Sequence, residues 1–262
     1  MKKIILHITF LWMAVGVSAQ IDSVRLNKKY LKHYWNDSRD WITAPARWQG
    51  DDWLKLGAAG VTTLALITID KPVNDFFRKN QDPVLYDISA ALEPLGTYYA
   101  LAAAGGLAVH GWLAQNHRSR STGLLAAESI VLSTLLVRIP KIAAGRSRPN
   151  AWWNPDPYEW KGPFNGKSFP SGHTTSAFAV ASVIAYQYRD TKWIPVTAYS
   201  LAGLAGLSRI YQNHHWTSDV FAGAIFGTVT GLFVCNRHFQ EQITLVPEIT
   251  GEATGFKMIL KW

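Results

Sequence analysis

Residues Ser168-Phe169-Pro170-Ser171-Gly172-His173-Thr174-Thr175 open an apolar, helix-like run, and their types suit the binding of an anion. Proline and glycine favour a tight turn, and serine is a good residue to cap a helix start. Glycine lets a ligand come close to the backbone, where the free N–H groups of a helix start point at it. His173 adds a side chain that can move a proton near neutral pH. By itself, a capped turn followed by a histidine is also an ordinary structural feature.

Two further clusters change that balance. Lys141 and Arg148 are seven positions apart, close to two helical turns, so both cations share a face if a helix runs on through Gly145. Downstream come Ser208-Arg209, His215 and Asp219. The last two are four apart, a spacing that on a helix sets a carboxylate against an imidazole. Three cations, two histidines, a carboxylate and a nest of N–H groups together describe a site for a tetrahedral oxyanion. His214 competes with His215, but successive helical residues point about 100° apart, so one of them faces Asp219 and the spacing selects His215. On this reading His214 is a structural or rim residue and Arg146 a flanking cation.

Lys141-x6-Arg148-Pro149, Pro170-Ser171-Gly172-His173 and Ser208-Arg209-x5-His215-x3-Asp219 occur in this order, and together they resemble the motifs of the type 2 phosphatidic acid phosphatase superfamily. That superfamily also holds vanadium haloperoxidases and bacterial non-specific acid phosphatases. The resemblance covers roughly residues 54–236. It implies an all-α, six-helix bundle and a metal-independent phosphatase working on a phosphate monoester or diphosphate, with no cofactor. It further implies that His215 attacks phosphorus, Asp219 orients it, and His173 protonates the leaving oxygen and then activates water. Lys141, Arg148, Arg209, the Ser171 hydroxyl and the Gly172 amide are the implied phosphate-binding groups. Phosphatidic acid, phosphatidylglycerol phosphate, undecaprenyl diphosphate and lipid A all offer the same head chemistry.

Composition bounds the surroundings of such a site. Of 262 residues, 48% are hydrophobic and 17% charged, which leans toward a membrane protein, whereas a mean hydropathy of zero leans away from it. The net charge of +8 suits anionic lipid or phosphate. No nucleic-acid module is recognisable. Cys235 stands alone, so no intramolecular disulfide can form.

Along the chain, residues 1–19 read as a secretory signal, with Lys2, Lys3, an apolar Ile4–Val17 core and Val17-Ser18-Ala19 before Gln20. A retained signal anchor is the alternative. Residues 20–53 form a polar segment bearing Tyr34, Trp35, Trp41, Trp48 and Trp53, suited either to a membrane surface or to packing on the helical body. Six apolar runs follow, Leu54–Ile69, Thr97–Ala114, Ser121–Val137, Thr174–Tyr186, Ile194–Leu207 and Val220–Cys235. Each is shorter than the ~20 residues of a simple span, which leaves their depth in a bilayer open. A polar segment is expected from Asp70 to Gly96, and Glu128, inside the third run, is expected to face the bundle interior. The aromatic loop from Arg148 to Ser168 reads as a lid, a ramp for a lipid tail or a packed loop. Gly223, Gly227 and Gly231 give one helix face a smooth groove for close packing. The tail, 237–262, alternates apolar and polar residues, as in a short β-hairpin.

The expectation is therefore a membrane-embedded lipid phosphatase of the bacterial cell envelope. A vanadate-dependent haloperoxidase is a second enzyme reading, and a non-catalytic lipid-binding scaffold a third. Topology pulls two ways. A cleaved signal followed by three spans would leave Lys141 in the cytoplasm, whereas the basic residues Arg118, Arg120, Arg189 and Lys192 in short loops put the motifs outside. Loop charge and the resemblance agree, so an inner-membrane protein with a periplasm-facing site is expected.

Overall fold

The computed structural model describes residue 24 and residues 28–150, 156–240, 243–250 and 253–260. The expected signal, 1–19, and the tryptophans of the aromatic loop, Trp152 and Trp153, lie outside the described residues. The helices are α1 (Lys28–Thr43), α2 (Gly50–Lys79), α3 (Pro83–Leu92), α4 (Tyr98–Leu113), α5 (His117–Leu136), α6 (Arg138–Ala144), α7 (Gly172–Gln187), α8 (Trp193–Tyr211) and α9 (Thr217–Gln240). Two strands, β1 (Ile243–Thr250) and β2 (Ala253–Leu260), pair antiparallel with Ile243 opposite Leu260. The fold is thus almost wholly helical. The six apolar runs correspond, to within a residue at the ends of α4 and α5, to stretches of α2, α4, α5, α7, α8 and α9, and α1, α3 and α6 are additional.

Local chemistry explains the helix ends. Gln49 and Asp52 form a reciprocal cap at the start of α2, whose first turn carries Asp51 and Asp52 and whose last turn carries Arg78 and Lys79, each opposing the helix dipole. Asp82 caps α3 through the Leu85 amide (3.0 Å) with Pro83 in the first turn, and Asn116 caps α5 through the Ser119 amide (3.0 Å). The apolar run expected to stop at Ile69 instead continues as helix through Asp70 and Pro72 to Lys79. Two buried polar anchors hold this extension to the bundle: Asp70 pairs with Arg146, and Asn74 donates to Asn213 Oδ1 at 2.6 Å.

Leu125, Leu132 and Leu136 of α5, Val180 and Val183 of α7, and Val234 and Cys235 of α9 form one core, which Ala100 and Ala104 of α4 complete. Ala177, Ala181, Ala202 and Ala205 form a second between α7 and α8. The glycine face of α9 lies directly on the α7 backbone. A Cβ on Gly223, Gly227 or Gly231 would come within 2.6, 2.2 and 2.4 Å of the carbonyl oxygens of Ser171, Thr175 and Ala179. From the N-terminal segment, Trp41 packs on Phe226 (ring centroids 5.0 Å apart), whereas Trp35 is exposed.

Among the described residues, three segments are long and apolar enough to cross a membrane: Gly50–Lys79, His117–Ala144 and Thr217–His238. In the first, 6% of the apolar window is buried, so nearly all of that surface faces outward from the protein. The basic loops before α5 and after α7 meet at one end of the bundle. There Arg118 donates to the Gln187 carbonyl through Nε (2.8 Å), pairs with Asp190 and stacks on Tyr188 at 4.3 Å. The three motifs gather at the opposite end.

Candidate active site

The ends of four helices build the site. Asp219 is in the first turn of α9, where its Oδ2 accepts from the Trp216 amide (2.9 Å) and from Ser168 Oγ (2.5 Å), and its Oδ1 accepts from Arg146 Nη1 (2.7 Å). His215 precedes that helix. The chain turns through Asn213, at φ 57°, and the His214 and His215 amides both donate to the Arg209 carbonyl. His215 and Asp219 therefore do not share a helix face, as their spacing suggested; the turn and the first helical residues bring His215 Nδ1 to 3.6 Å from Asp219 Oδ2. That separation is an ion-pair distance, longer than a hydrogen bond. With Nδ1 turned to Asp219, Nε2 is the nitrogen left for chemistry. Burial pushes the His215 imidazole down to about 4, with Asp219 opposing the shift, so the ring is neutral at pH 7.

The helix carrying Lys141 does not persist to Arg148. It stops at Ala144, and Gly145 takes a left-handed conformation (φ 58°) in which a Cβ would stand 1.7 Å from the Gly162 carbonyl oxygen. Two different supports replace the single expected face. Lys141 Nζ donates to the carbonyls of Lys167 (3.0 Å), Ser168 (3.4 Å) and Pro170, so the ammonium grips the turn that presents Ser171 to His173. Arg148 lies in the extended chain beyond. Its buried Nε has no partner within the described residues, and its charge acts on His173, His214, His215 and Arg209.

Ser171 occupies the N-cap position of α7, but its hydroxyl accepts from Thr174 Oγ1 (2.9 Å) instead of capping a backbone amide. The Ser171 amide donates to the Asp219 carbonyl at 3.0 Å, which ties the α7 start to the α9 start. Gly172 begins α7, and no atom lies within 4 Å of where its Cβ would be. The open side of this helix start carries N–H groups without intrahelical acceptors. His173 is half-buried, and its Nε2 is 3.3 Å from Glu93 Oε1. Burial and then Arg209 lower its pKa, while Glu93 raises it. Arg209 is buried. Its Nη1 bonds Glu93 Oε1 and Gln212 Oε1, both at 2.9 Å, and its Nε is unpartnered. His214 sits at the rim, half-buried, with Nδ1 unpartnered.

Arg146 is not a flanking cation. It is fully buried, and all five of its N–H donors are used: Nε and Nη2 on the Pro157 carbonyl, Nη1 on Ser218 Oγ and Asp219 Oδ1, Nη2 on Asp70 Oδ2. Trp160 and Trp216 flank its guanidinium at 4.9 and 5.6 Å. Asp70 also accepts from the Ser218 amide (2.9 Å) and hydroxyl. The sequence reading missed this Asp70–Arg146–Asp219 chain, and it missed Glu93. A carboxylate at the end of an apolar run was the available signal for Asp70, since such a group needs a buried partner. Glu93 carried no comparable signal.

This arrangement can hold a tetrahedral anion between Arg148, Arg209 and the α7 start, with one imidazole neutral and backed by a carboxylate and a second imidazole at the opening. The PAP2 superfamily model matches residues 122–243. A lipid A 1-phosphatase from Porphyromonas gingivalis is 34% identical over 118 residues, which are 44% of this chain and 24% of that protein. Lipid phosphate phosphatase 1 of Arabidopsis thaliana is 33% identical over 150 residues, 45% of this chain and 43% of that protein. The chain thus spans less than half the length of either relative. In fold it is similar to a transmembrane PAP2-type phosphatidylglycerolphosphate phosphatase from Bacillus subtilis, with a TM-score of 0.54 at 22% identity over 71% of this chain and 96% of that one. Together with the three apolar segments, these likenesses support a membrane protein. The ordered motifs and the match over residues 122–243 show that stretch to be similar to the PAP2 superfamily, and the fold agrees with that likeness.

Proposed function

We propose that this chain is a metal-independent phosphatase that hydrolyses a phosphate monoester or diphosphate on a lipid through a phosphohistidine intermediate. The observation that carries this reading is the set of buried, unpartnered donors, Arg148 Nε and Arg209 Nε, converging with the α7 start around a neutral His215. Buried donors without acceptors are costly, and an anion relieves that cost. The His215 Nε2 lone pair attacks phosphorus as the bond to the lipid oxygen breaks, and His173 gives that oxygen its proton. A water then loses a proton to His173 and attacks phosphorus, breaking the P–N bond and restoring His215. Asp219 stabilises the imidazole as it gains positive charge, and Arg148 and Arg209 stabilise the equatorial oxygens.

The lipid identity of the leaving group is supported by the outward-facing apolar surface of α2 and by the relatives' names. A periplasm-facing site in an inner membrane is supported by the meeting of the basic loops at the end remote from the motifs. The test is phosphate release in detergent from phosphatidic acid, phosphatidylglycerol phosphate, undecaprenyl diphosphate and lipid A. Release that survives EDTA and is inhibited by vanadate is expected. Activity abolished by chelation while the protein stays folded, and restored by a divalent metal, overturns the mechanism, and bromide oxidation with vanadate and peroxide would instead assign a haloperoxidase.

A further inference from the structure

At the other end of α9, well away from the motifs, three buried side chains converge that the phosphatase chemistry does not use. Asp37 of α1, Glu128 of α5 and His238 of α9 each offer a donor atom, and these atoms lie within 4.8 Å of one another. We propose that they form a site for one divalent transition-metal ion, which fastens α1 to the bundle.

The distances suit a metal. His238 Nε2 is 3.1 Å from Glu128 Oε2 and 3.6 Å from Asp37 Oδ2. Ligands bonded at ~2.0–2.1 Å around a tetrahedral ion stand about 3.3 Å apart, between those two values. Both carboxylates are 1% exposed, and Asp37 Oδ2 has no hydrogen-bond donor at normal geometry. A proton on His238 Nε2 is within hydrogen-bond distance of Glu128 Oε2, whereas Asp37 Oδ2, at 3.6 Å, lies beyond it. An ion among the three residues gives Asp37 Oδ2 the partner it lacks. The outer contacts are those of a prepared site: Arg237 Nε holds Asp37 Oδ1 at 3.3 Å while its Nη2 holds Asp40 Oδ2 at 2.8 Å, which turns Asp37 Oδ2 inward. One imidazole and two carboxylates suit zinc and the neighbouring first-row metals rather than the all-oxygen preference of calcium or magnesium.

The site is independent of the proposed hydrolysis. His238 lies 19 positions beyond Asp219, about 29 Å along a helix. Each ligand comes from a different helix, so the ion acts as a clamp.

The test uses the full chain, purified in detergent without a histidine tag. Zinc is titrated onto EDTA-treated, dialysed protein while bound metal and apparent Tm are measured. One zinc per chain is expected, with Tm rising roughly 5–10 °C at zinc a hundredfold above its Kd. Asp37→Asn and Glu128→Gln should each lose that rise, and Asp40→Asn should keep it. Should the first two fail to fold, X-ray absorption on the zinc-loaded wild type decides, with a shell of imidazole nitrogen and carboxylate oxygen at ~2.0–2.1 Å expected. No zinc bound at 100-fold molar excess, an unchanged Tm, a rise retained in Asp37→Asn, or a sulfur in the shell overturns the proposal.

Discussion

Arg146 Nη1 and Asp219 Oδ1 are 2.7 Å apart with both side chains wholly buried, and the other arm of the same guanidinium reaches Asp70 Oδ2, also at 2.7 Å. One cation therefore couples the middle of α2, the loop after α6 and the first turn of α9. The carboxylate that backs His215 is held from behind by a group that never reaches the anion site. Removing one partner of a buried pair leaves an uncompensated charge, which costs about 3–5 kcal/mol.

Arg146→Met should accordingly lower the apparent Tm by roughly 6–20 °C, taking 2–4 °C per kcal/mol for a chain of this size. Asp70→Asn should cost less, since Asp219 keeps the guanidinium and the replacing carboxamide oxygen can still accept from Ser218. Thermal unfolding in detergent measures both. Equal Tm values for wild type and Arg146→Met would refute the coupling.

The two histidines set opposite limbs of a pH profile. His215 must be unprotonated to attack, and burial holds it at about 4. His173 must be protonated to assist the leaving oxygen, and burial and Arg209 lower it below its ordinary 6.5. In the free enzyme kcat/KM should rise through pH 4 and fall through a pKa under 6.5, giving an acidic optimum.

Glu93 Oε1 is 3.3 Å from His173 Nε2, and its negative charge raises the His173 pKa. Glu93→Gln removes that charge, so the upper limb of kcat/KM should move to lower pH while the lower limb stays. A fall in activity with both limbs unmoved would assign Glu93 a purely structural role.

Rapid quenching should trap acid-labile phosphate on wild-type protein and on His214→Ala, but not on His215→Ala. His214 stands at the rim and His215 against Asp219 at 3.6 Å, so loss of the rim histidine leaves the nucleophile in place. Phosphate trapped on His215→Ala would remove His215 from the role of nucleophile.

Orientation can be read by thiol labelling in a Cys235→Ser background. Asp156 is exposed at the motif end and His117 is exposed beside the basic loops. An impermeant reagent on intact spheroplasts should label Asp156→Cys and spare His117→Cys. The reverse pattern would put the site in the cytoplasm.

The three motifs, the helical class and the close packing on Gly223, Gly227 and Gly231 were legible in the sequence because each depends on local spacing or on residue size. Tertiary structure decided how the motif residues meet. Gly145 ends the helix between Lys141 and Arg148, and a turn through Asn213, not a helix face, sets His215 near Asp219. Asp70, 76 positions from Arg146, and Glu93, 80 from His173, join the site through contacts no local pattern encodes. The same holds for Asp37, Glu128 and His238, which stand on three separate helices. Helix propensity and periodicity act over a few residues, whereas a buried charge selects its partner by where the packed helices bring it.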